Sequence, residues 1–445
     1  MVLHAEVVVV GAGMFGAAAA KYLARSGADV LVIGPGQPPR DGAPASLAAF
    51  GAHHDEARIV RRLGWDRVWG TLDTRSADRM RALEAESGIG FLTECGALAL
   101  MGKGVRDRTA EMLRLSGAAG VGVEELSGTA LGREFPDLAL PPVAGGVDGL
   151  LERHGAGYLN PRLLVQAQLR LASAAGARLL TGQVAAVRKD LSPHGRWLLR
   201  GTTADGVAVR ARAERVLVAA GALVGQSGAL PVGSRLDLHA YTEPNLLFEV
   251  AAGERERLRA LPTVVVVDPE DRGNDNLSVY LLPPVRYPDG KWYVRLGPGM
   301  QPLVRELRTA EETLAWCTGG TITAEQARFL TAMMRTLIPA LEPVSVRPAC
   351  CVVDKTPTRH PYIGPLGPLG PGGHDGHDGL FVAVGGNGHG ARGSDEIGRL
   401  AATLVLGGEW DFPLPREVFE PVAAPLPRTS GADRPAYLTP PFGLC

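Results

Sequence analysis

Two arginines in residues 50–62 form a candidate anion site. Arg58 and Arg61 stand three residues apart, and Arg62 continues the basic run. On a helical turn, residues three apart share one side, and a planar guanidinium donates two parallel hydrogen bonds to a carboxylate. The segment therefore predicts a carboxylate site on a helical turn, and a solvated basic turn is the alternative.

Two adjacent cysteines, Cys350 and Cys351, lie in residues 346–357, which predict a strand. Alternate residues of a strand face opposite sides, so only one of the two thiols can face a bound group. A thiolate is a nucleophile. The alternative is that both cysteines are small buried apolar residues.

Histidines occur in two glycine-rich places. His389 stands between Gly388 and Gly390, directly after an apolar strand, where it either orients a bound ring or only fills the turn. Residues 374–378 carry two histidines and two aspartates inside a Gly-Pro insertion, which favours a solvated loop. We therefore predict no metal site.

The first element positions a phosphate site. Residues 5–10 predict a buried strand and residues 17–25 a helix, with Gly11, Gly13 and Gly16 between them. In that setting the first glycine allows the tight turn, the second lets the backbone approach a pyrophosphate, and the third lets the helix pack on the strand. The order predicts dinucleotide binding, and an ordinary glycine-rich turn is the alternative.

The second strand, predicted over residues 29–33, lacks one expected part. An acidic residue commonly ends this strand and binds the ribose hydroxyls, but here the strand runs into Gly34 and Pro35. This absence counts against an NAD-linked dehydrogenase more than against FAD, because an extended FAD has many other contacts.

Length and charge limit the class of protein. The 445 residues exceed one average domain, and 46 basic against 47 acidic residues leave no excess charge for nucleic acid or anionic lipid. Five cysteines without a CxxC pair favour a reducing compartment. No apolar run is long enough to cross a bilayer, and no signal peptide is recognised. We expect a cytoplasmic protein with a small-molecule partner.

Together these motifs resemble the sarcosine oxidase and N-methyltryptophan oxidase group, which are FAD-dependent oxidoreductases related to D-amino-acid oxidase. The resemblance extends along nearly the whole chain, because further segments repeat the family order. Those segments are residues 157–162, 177–184, 215–221, 280–283, 293–297, 346–357 and 380–392.

The resemblance implies an α/β fold with two parts. A discontinuous Rossmann-like FAD-binding domain would comprise residues 1–85, 146–235 and 346–420. A substrate domain with a mostly antiparallel sheet would comprise residues 86–145 and 236–345. Residues 421–445 would form a Pro-rich tail.

The resemblance also implies the site. FAD would be joined covalently to Cys351, which precedes Pro357 by the family's spacing of six residues. Arg61 and Arg392 would hold a substrate carboxylate. The residues implied to act on the substrate are Arg58, Arg61, Tyr280, Arg295, His389 and Arg392. Those implied to bind the cofactor are Gly11, Gly13, Met14, Phe15, Gly16, His53, His54, Arg58, Val184, Gly221, Cys351, Gly386, Asn387, Gly388, His389, Gly390 and Arg392.

The function implied is oxidation of a secondary or N-substituted amino acid by hydride transfer to flavin N5, giving an imine that hydrolyses. Oxygen would reoxidise the flavin and release hydrogen peroxide, in a monomer or homodimer. The family's oxygen-activating lysine corresponds to Arg295 here, and a nearby histidine corresponds to Gly299. Arginine spreads its charge over a planar group, whereas lysine offers a compact ammonium, so fast reaction with oxygen is in question. The alternatives are a flavin dehydrogenase with another acceptor, an NAD-linked dehydrogenase and a noncatalytic FAD-binding subunit.

Overall fold

A computed structural model describes residues 2–37, 51–190, 192, 196–268, 277–299, 304–367 and 379–424. The histidine-containing loop at 374–378 and most of the Pro-rich tail lie outside these residues.

The elements are numbered along the chain. The strands are β1 (Val2–Val10), β2 (Val30–Gly34), β3 (Arg58–Val60), β4 (Leu92–Glu94), β5 (Ala97–Gly102), β6 (Glu124–Leu126), β7 (Val147–Glu152), β8 (Gly157–Leu159), β9 (Arg178–Lys189), β10 (Trp197–Thr203), β11 (Ala208–Val218), β12 (His239–Val250), β13 (Thr263–Val267), β14 (Val279–Arg286), β15 (Trp292–Pro298), β16 (Glu306–Leu307), β17 (Ser345–Lys355), β18 (Tyr362–Pro365) and β19 (Leu380–Val384). The helices are α1 (Met14–Arg25), α2 (Arg67–Ser87), α3 (Arg106–Ala118), α4 (Gly128–Glu134), α5 (Pro161–Ala174), α6 (Ala252–Arg257), α7 (Ala310–Gly319), α8 (Ala324–Leu337) and α9 (Gly390–Val405).

The first sheet contains β1 and the glycine turn that the sequence predicts to bind a dinucleotide. β1 pairs in parallel with β2 and β11, and β11 pairs in parallel with β19. Side chains of β1 alternate between two cores: Val7 and Val9 pack with residues of α1 and α9, whereas Val8 and Val10 pack with β10 and β11. Residues 7–10 of β1 are apolar on both faces because α1 and α9 cover one face and residues of β10 and β11 pack against the other.

The second sheet runs in the order β16-β12-β15-β14-β13-β5-β7-β6, and β17 pairs with β12. Its pairings are antiparallel except between β13 and β5. Leu246, Val294 and Leu296 face a core that includes Leu330 and Met334 of α8. Since strand side chains alternate, the opposite face of β12, β14 and β15 is free to line a cavity.

The α/β fold class predicted from the sequence is confirmed, and two local expectations differ. Residues 58–60 form the extended β3, paired with β8, rather than a helical turn. In the extended strand Ile59 and Val60 point to opposite sides, and each packs in a different apolar cluster. β7 and β17, assigned by sequence to the FAD-binding part, pair with β5 and β12 in the second sheet. Among the described residues, none of the helices combines the length and apolar character needed to cross a bilayer.

Candidate active site

A cavity of about 630 Å³ lies between the two sheets. The first sheet lines it with the ends of β1, β2 and β11 and the start of β9, together with the starts of α1 and α9. The second sheet lines it with side chains of β12, β14, β15 and β17. We call the first wall the floor and the second the roof.

Glycines let the floor approach closely. Gly11 has a φ of +108°, which favours glycine, and a Cβ on Gly16 would lie 2.0 Å from the carbonyl oxygen of Gly11. Gly13 caps α1 without a side-chain hydrogen bond, and the first turn has no acidic residue. The first amides and the positive end of the helix dipole are therefore available to a phosphate. Gly11, Gly13, Met14 and Phe15 line the cavity, whereas Gly16 does not and instead lets α1 pack on the turn.

The missing ribose-binding acid has a steric explanation. A Cβ on Gly34 would lie 2.6 Å from the amide nitrogen and 2.7 Å from the Cβ of Ala12. Any side chain at the end of β2 would therefore displace the phosphate-binding turn. Glycine is required here, and the acidic residue has no room.

Other floor residues come from the strands beside β1 and β2. Val184 on β9 and Gly221 after β11 line the cavity, together with Thr181 and Gly182. Val184 is buried, so it offers an apolar surface to a flat ring. These positions extend the cavity away from the roof, as a long dinucleotide requires.

The turn before α9 brings a second helix start to the cavity. Gly386, Gly388, His389 and Gly390 line it, and α9 begins without a side-chain cap or an acidic residue in its first turn. Asn387, expected to bind the cofactor, does not line the cavity. With a φ of +52°, its amide accepts a hydrogen bond from the backbone of Thr356 and donates one to Gly385, so its side chain holds the turn.

His389 and Arg392 are joined to each other and to a buried acid. The His389 ring stacks on Trp69 with centroids 4.9 Å apart, and its Nδ1 lies within hydrogen-bond distance of Arg392. Nε of Arg392 donates to Asp73. Burial raises the pKa of Asp73 to about 7, against the opposing charges of Arg392 and Arg61. Both predicted residues line the cavity, but Arg392 is engaged by Asp73, which weakens its expected role as half of a carboxylate clamp.

The two neighbouring histidines differ. His53 lines the cavity, and burial lowers its pKa to about 4, so the ring is neutral at neutral pH. His54 does not line the cavity; its Nε2 lies 3.1 Å from Nη1 of Arg162. The cofactor contact expected of His54 is therefore not formed by a cavity-lining side chain.

Arg58 and Arg61 both line the cavity, from the ends of β3. Nη2 of Arg58 lies 2.7 Å from the carbonyl oxygen of Ala52 and 3.1 Å from Sγ of Cys351, and Nη1 forms an ion pair with Asp55. Arg61 is buried, and its Nη1 donates to the carbonyl oxygen of Leu63. Both guanidiniums thus reach the same cavity from an extended strand.

Tyr280 and Arg295 belong to the roof. Nη2 of Arg295 donates to the hydroxyl of Tyr280 over 3.0 Å, and that hydroxyl donates to Asn245. Arg295 also forms an ion pair with Asp55, and burial lowers its pKa to about 10, so it stays charged at neutral pH. The position at which the resemblance implies a lysine therefore holds a buried charge that shares the carboxylate of Asp55 with Arg58.

The adjacent cysteines face opposite sides of β17. Cys351 lines the cavity, whereas Sγ of Cys350 lies 3.1 Å from the carbonyl oxygen of Gly320 and packs near Cys317. Both thiols are free. Of this adjacent pair, Cys351 is the one on the cavity side.

Comparison with known proteins decides the family. The FAD dependent oxidoreductase family matches residues 6–404. The chain belongs to this family. The resemblance noted in the sequence is thereby confirmed.

Among curated relatives of this flavoprotein, monomeric sarcosine oxidase from Bacillus sp. (strain B-0618) is 30% identical over 182 residues, which is 41% of this chain and 44% of the relative. The N-methyl-L-tryptophan oxidase of Salmonella arizonae is 28% identical over 221 residues, 49% of this chain and 54% of the relative. The chain thus aligns with about half the length of these relatives.

A solved structure covers nearly the whole flavoprotein chain. NikD, described as an unusual amino acid oxidase essential for nikkomycin biosynthesis, superposes with a TM-score of 0.71 at 22% identity, over 95% of this chain and 99% of NikD. At this identity the likeness shows the fold.

The cavity fits FAD on its own geometry. Two uncapped helix starts and a glycine turn with no room for a Cβ suit a pyrophosphate. The residues that would hold the cofactor are Gly11, Ala12, Gly13, Val184, Gly221, Cys351, Gly388 and Gly390.

Sequence reasoning missed a cavity residue of this flavoprotein and two residues behind the site. Glu243 lines the cavity from β12, Asp55 joins Arg58 to Arg295, and Lys355 donates to the carbonyl oxygen of Asn387 over 2.9 Å. Lys355 carries a signal that could have found it, because it is a charged residue inside the strand predicted over residues 346–357. Glu243 lies in a strand, β12, that the sequence analysis did not predict. Asp55 carries none, since it lies in a polar loop.

Proposed function

We propose that this flavoprotein oxidises the carbon–nitrogen bond of a secondary or N-substituted amino acid. The observation that carries the proposal is the arrival of Arg58, Arg61, Tyr280 and Cys351 at one cavity whose floor suits a dinucleotide. The names of the relatives, sarcosine oxidase and N-methyl-L-tryptophan oxidase, support the same substrate class.

Arg61 is the proposed anchor for the substrate carboxylate. Arg61 is 1% exposed and lines the cavity, so an ion pair formed there is shielded from water. Arg392 is held by Asp73 and acts in this proposal as a secondary positive charge near the carboxylate. Anchoring the carboxylate fixes where the adjacent C–H bond points, which is how orientation lowers a barrier.

The chemistry divides between cofactor and protein. FAD, when bound, supplies the acceptor for a hydride equivalent at N5. The chain excludes water with apolar lining residues from both walls, among them Ala57, Ile59, Val265 and Leu282. Tyr280, fixed between Arg295 and Asn245, presents its ring to the substrate space.

The test is anaerobic bleaching of the purified yellow protein by a panel of N-alkyl, cyclic and primary amino acids. Loss of the visible flavin band with at least one N-substituted member, at a rate that saturates with concentration, is expected. A protein that binds FAD yet is bleached by no amine would contradict the proposal and favour a noncatalytic FAD-binding subunit.

Covalent attachment of FAD through Cys351 is the second part of the proposal. The thiol faces the cavity while its neighbour Cys350 faces away, so Cys350→Ala is a matched control. Denaturation in acid should leave the yellow colour in the pellet for the wild type and Cys350→Ala, but in the supernatant for Cys351→Ala. Flavin that is wholly soluble in the wild type would reject the thioether.

Oxygen is the proposed acceptor, and one observation favours a dehydrogenase as a second candidate. The charge of Arg295 is paired with Asp55, so less of it is available to stabilise superoxide than a free ammonium would offer. Stopped-flow mixing of the reduced protein with air-saturated buffer distinguishes the two. Fast reoxidation with stoichiometric hydrogen peroxide indicates an oxidase, and slow reoxidation indicates a dehydrogenase.

A further inference from the structure

Glu243 is a buried acid that faces the cavity from the middle of β12. The residue is 4% exposed and stands directly opposite Cys351 in the antiparallel pairing of β12 with β17. Paired residues of antiparallel strands project to the same face, with Cβ atoms about 5 Å apart. The carboxyl group therefore shares the roof with the thiol proposed to hold the cofactor.

Charged and titratable groups surround Glu243 on several elements. Lys355 and Cys351 lie on the same face of β17, Arg58 approaches from β3 and Tyr280 from β14. Burial raises the pKa of Glu243 to about 7, while the charges of Lys355 and Arg58 and the nearby hydroxyl of Tyr280 oppose that shift. A carboxyl group with such a pKa exchanges a proton readily at neutral pH.

Glu243 differs from the other cavity-lining acid, Asp354, in its hydrogen bonds to backbone amides. The cavity-lining acids of the described chain are Glu243 and Asp354, and Asp354 accepts hydrogen bonds from the amides of Gly385 and Gly386 at 3.1 and 2.9 Å. Glu243 instead lies near the side chains of Tyr280, Lys355 and Arg58. Because it lines the cavity, its carboxylate can bind a group inside it.

We infer that Glu243 binds the ammonium nitrogen of the substrate and takes up one of its protons, so that the pocket accepts an amino acid as a zwitterion with its carboxylate at Arg61. The inference rests on the proposed function and adds a second recognition element to it. Arg61 and Glu243 supply opposite charges to one cavity, which suits a molecule that carries both a carboxylate and an ammonium group.

The proton step balances within the pocket. The N–H bond of the ammonium breaks, the proton passes to a carboxylate oxygen of Glu243, and the electron pair of that bond stays on nitrogen as a lone pair. That lone pair forms the C=N bond when the adjacent C–H bond gives its hydride to the cofactor. Lys355 and Arg58, both near Glu243, favour the ionised carboxylate that receives the proton.

The experiment compares two ligands of equal shape on the holoprotein. Pyrrolidine-2-carboxylate carries the ammonium group, whereas cyclopentanecarboxylate has carbon in its place. Binding is followed anaerobically by perturbation of the flavin absorbance, or by saturation of the bleaching rate where the amine is oxidised, from pH 6 to 8. The variants are Glu243→Gln, which removes the charge at constant shape, and Glu243→Asp, which keeps the charge.

We expect wild-type protein to prefer the amine at least tenfold at pH 8 and less at pH 6, as Glu243 becomes protonated. Glu243→Gln should lose that preference and its pH dependence while still binding the carbocyclic acid, and Glu243→Asp should recover part of it. Equal weakening of both ligands in Glu243→Gln would overturn the inference. So would wild-type protein that binds neither ligand or shows no preference. Bleaching of both proteins by the amine, with no difference between them, would overturn it and leave the proposed function intact.

Discussion

The floor and the roof of the cavity bind by different means. The floor presents backbone amides, helix starts and glycines. A Cβ added at Gly16 or Gly34 would lie too close to neighbouring backbone atoms, so neither position can carry a side chain without a shift of the backbone. The roof and the adjoining β3 present side chains with charge, among them Arg58, Glu243 and Arg295. A backbone site suits a ligand that does not vary, whereas side chains can be exchanged without changing the fold. We therefore propose that the floor determines the cofactor and that the roof, apart from Cys351, determines the substrate.

The largest expected effect comes from a substitution in the floor. Gly16→Ala should destabilise the protein by about 3 kcal/mol or more and abolish flavin binding, because the new Cβ would lie 2.0 Å from the carbonyl oxygen of Gly11. Gly70→Ala is the control: Gly70 lies inside α2, and outside the backbone of its own helix the atom nearest to a new Cβ would be the carbonyl oxygen of Arg62, at 3.9 Å. That change should keep the flavin and raise stability by about 0.5–1 kcal/mol. The measurements are the flavin content of purified protein and the thermal midpoint, and equal flavin content in the two variants would refute the floor's role.

The floor could be predicted from the sequence because its signals are local. Glycine spacing between a strand and a helix identified the turn at residues 11–16, and the structure supplies the same turn. The absence of an acid after β2 was visible as well, although its cause, the contact of Gly34 with Ala12, was not.

The roof resisted prediction because its neighbours are distant in sequence. Glu243 meets Cys351 only through the pairing of β12 with β17, and Arg58 meets Arg295 only through Asp55. Arg392 and Asp73 are more than 300 residues apart, so no local pattern could show that the guanidinium is engaged. The prediction of a helical turn at Arg58 was wrong because Ile59 and Val60 belong to a strand that pairs with β8.

A second prediction tests Arg61, which adjoins the roof. Arg61→Ala should weaken binding of an amino-acid substrate by about 2 to 5 kcal/mol, since one partner of a desolvated charge pair is lost. The matched amine without a carboxyl group serves as the control and should bind the variant about as well as the wild type. Titrations of the flavin absorbance measure both, and an unchanged affinity for the amino acid would remove Arg61 from the substrate site.

A third prediction concerns stability against pH and separates the roof from the floor. The pKa of Glu243 is raised from its ordinary value of 4.5 to about 7, so the folded protein holds that proton more tightly than the unfolded chain does. The contribution of Glu243 to the free energy of unfolding is therefore fully present below pH 4.5. It decreases as the pH rises toward 7, by up to about 3 kcal/mol. Glu243→Gln does not titrate, so its stability relative to the wild type should increase from pH 5 to pH 8.

Thermal midpoints of the two proteins across that range check the sign. Asp73, whose pKa is also raised to about 7, is present in both and cancels from the difference. A difference that stays constant with pH would show that Glu243 does not titrate in the folded protein in this range.

The pairing of β12 with β17 also has a consequence for biosynthesis. Eleven residue pairs join the two strands, from His239 with Lys355 to Glu249 with Ser345. About a hundred residues separate the strands along the chain, and the second helix start, α9, emerges from the ribosome later still. The pocket is therefore incomplete until most of the chain has been translated, and we expect cofactor capture to follow translation of residue 390, with shorter nascent chains unable to retain flavin.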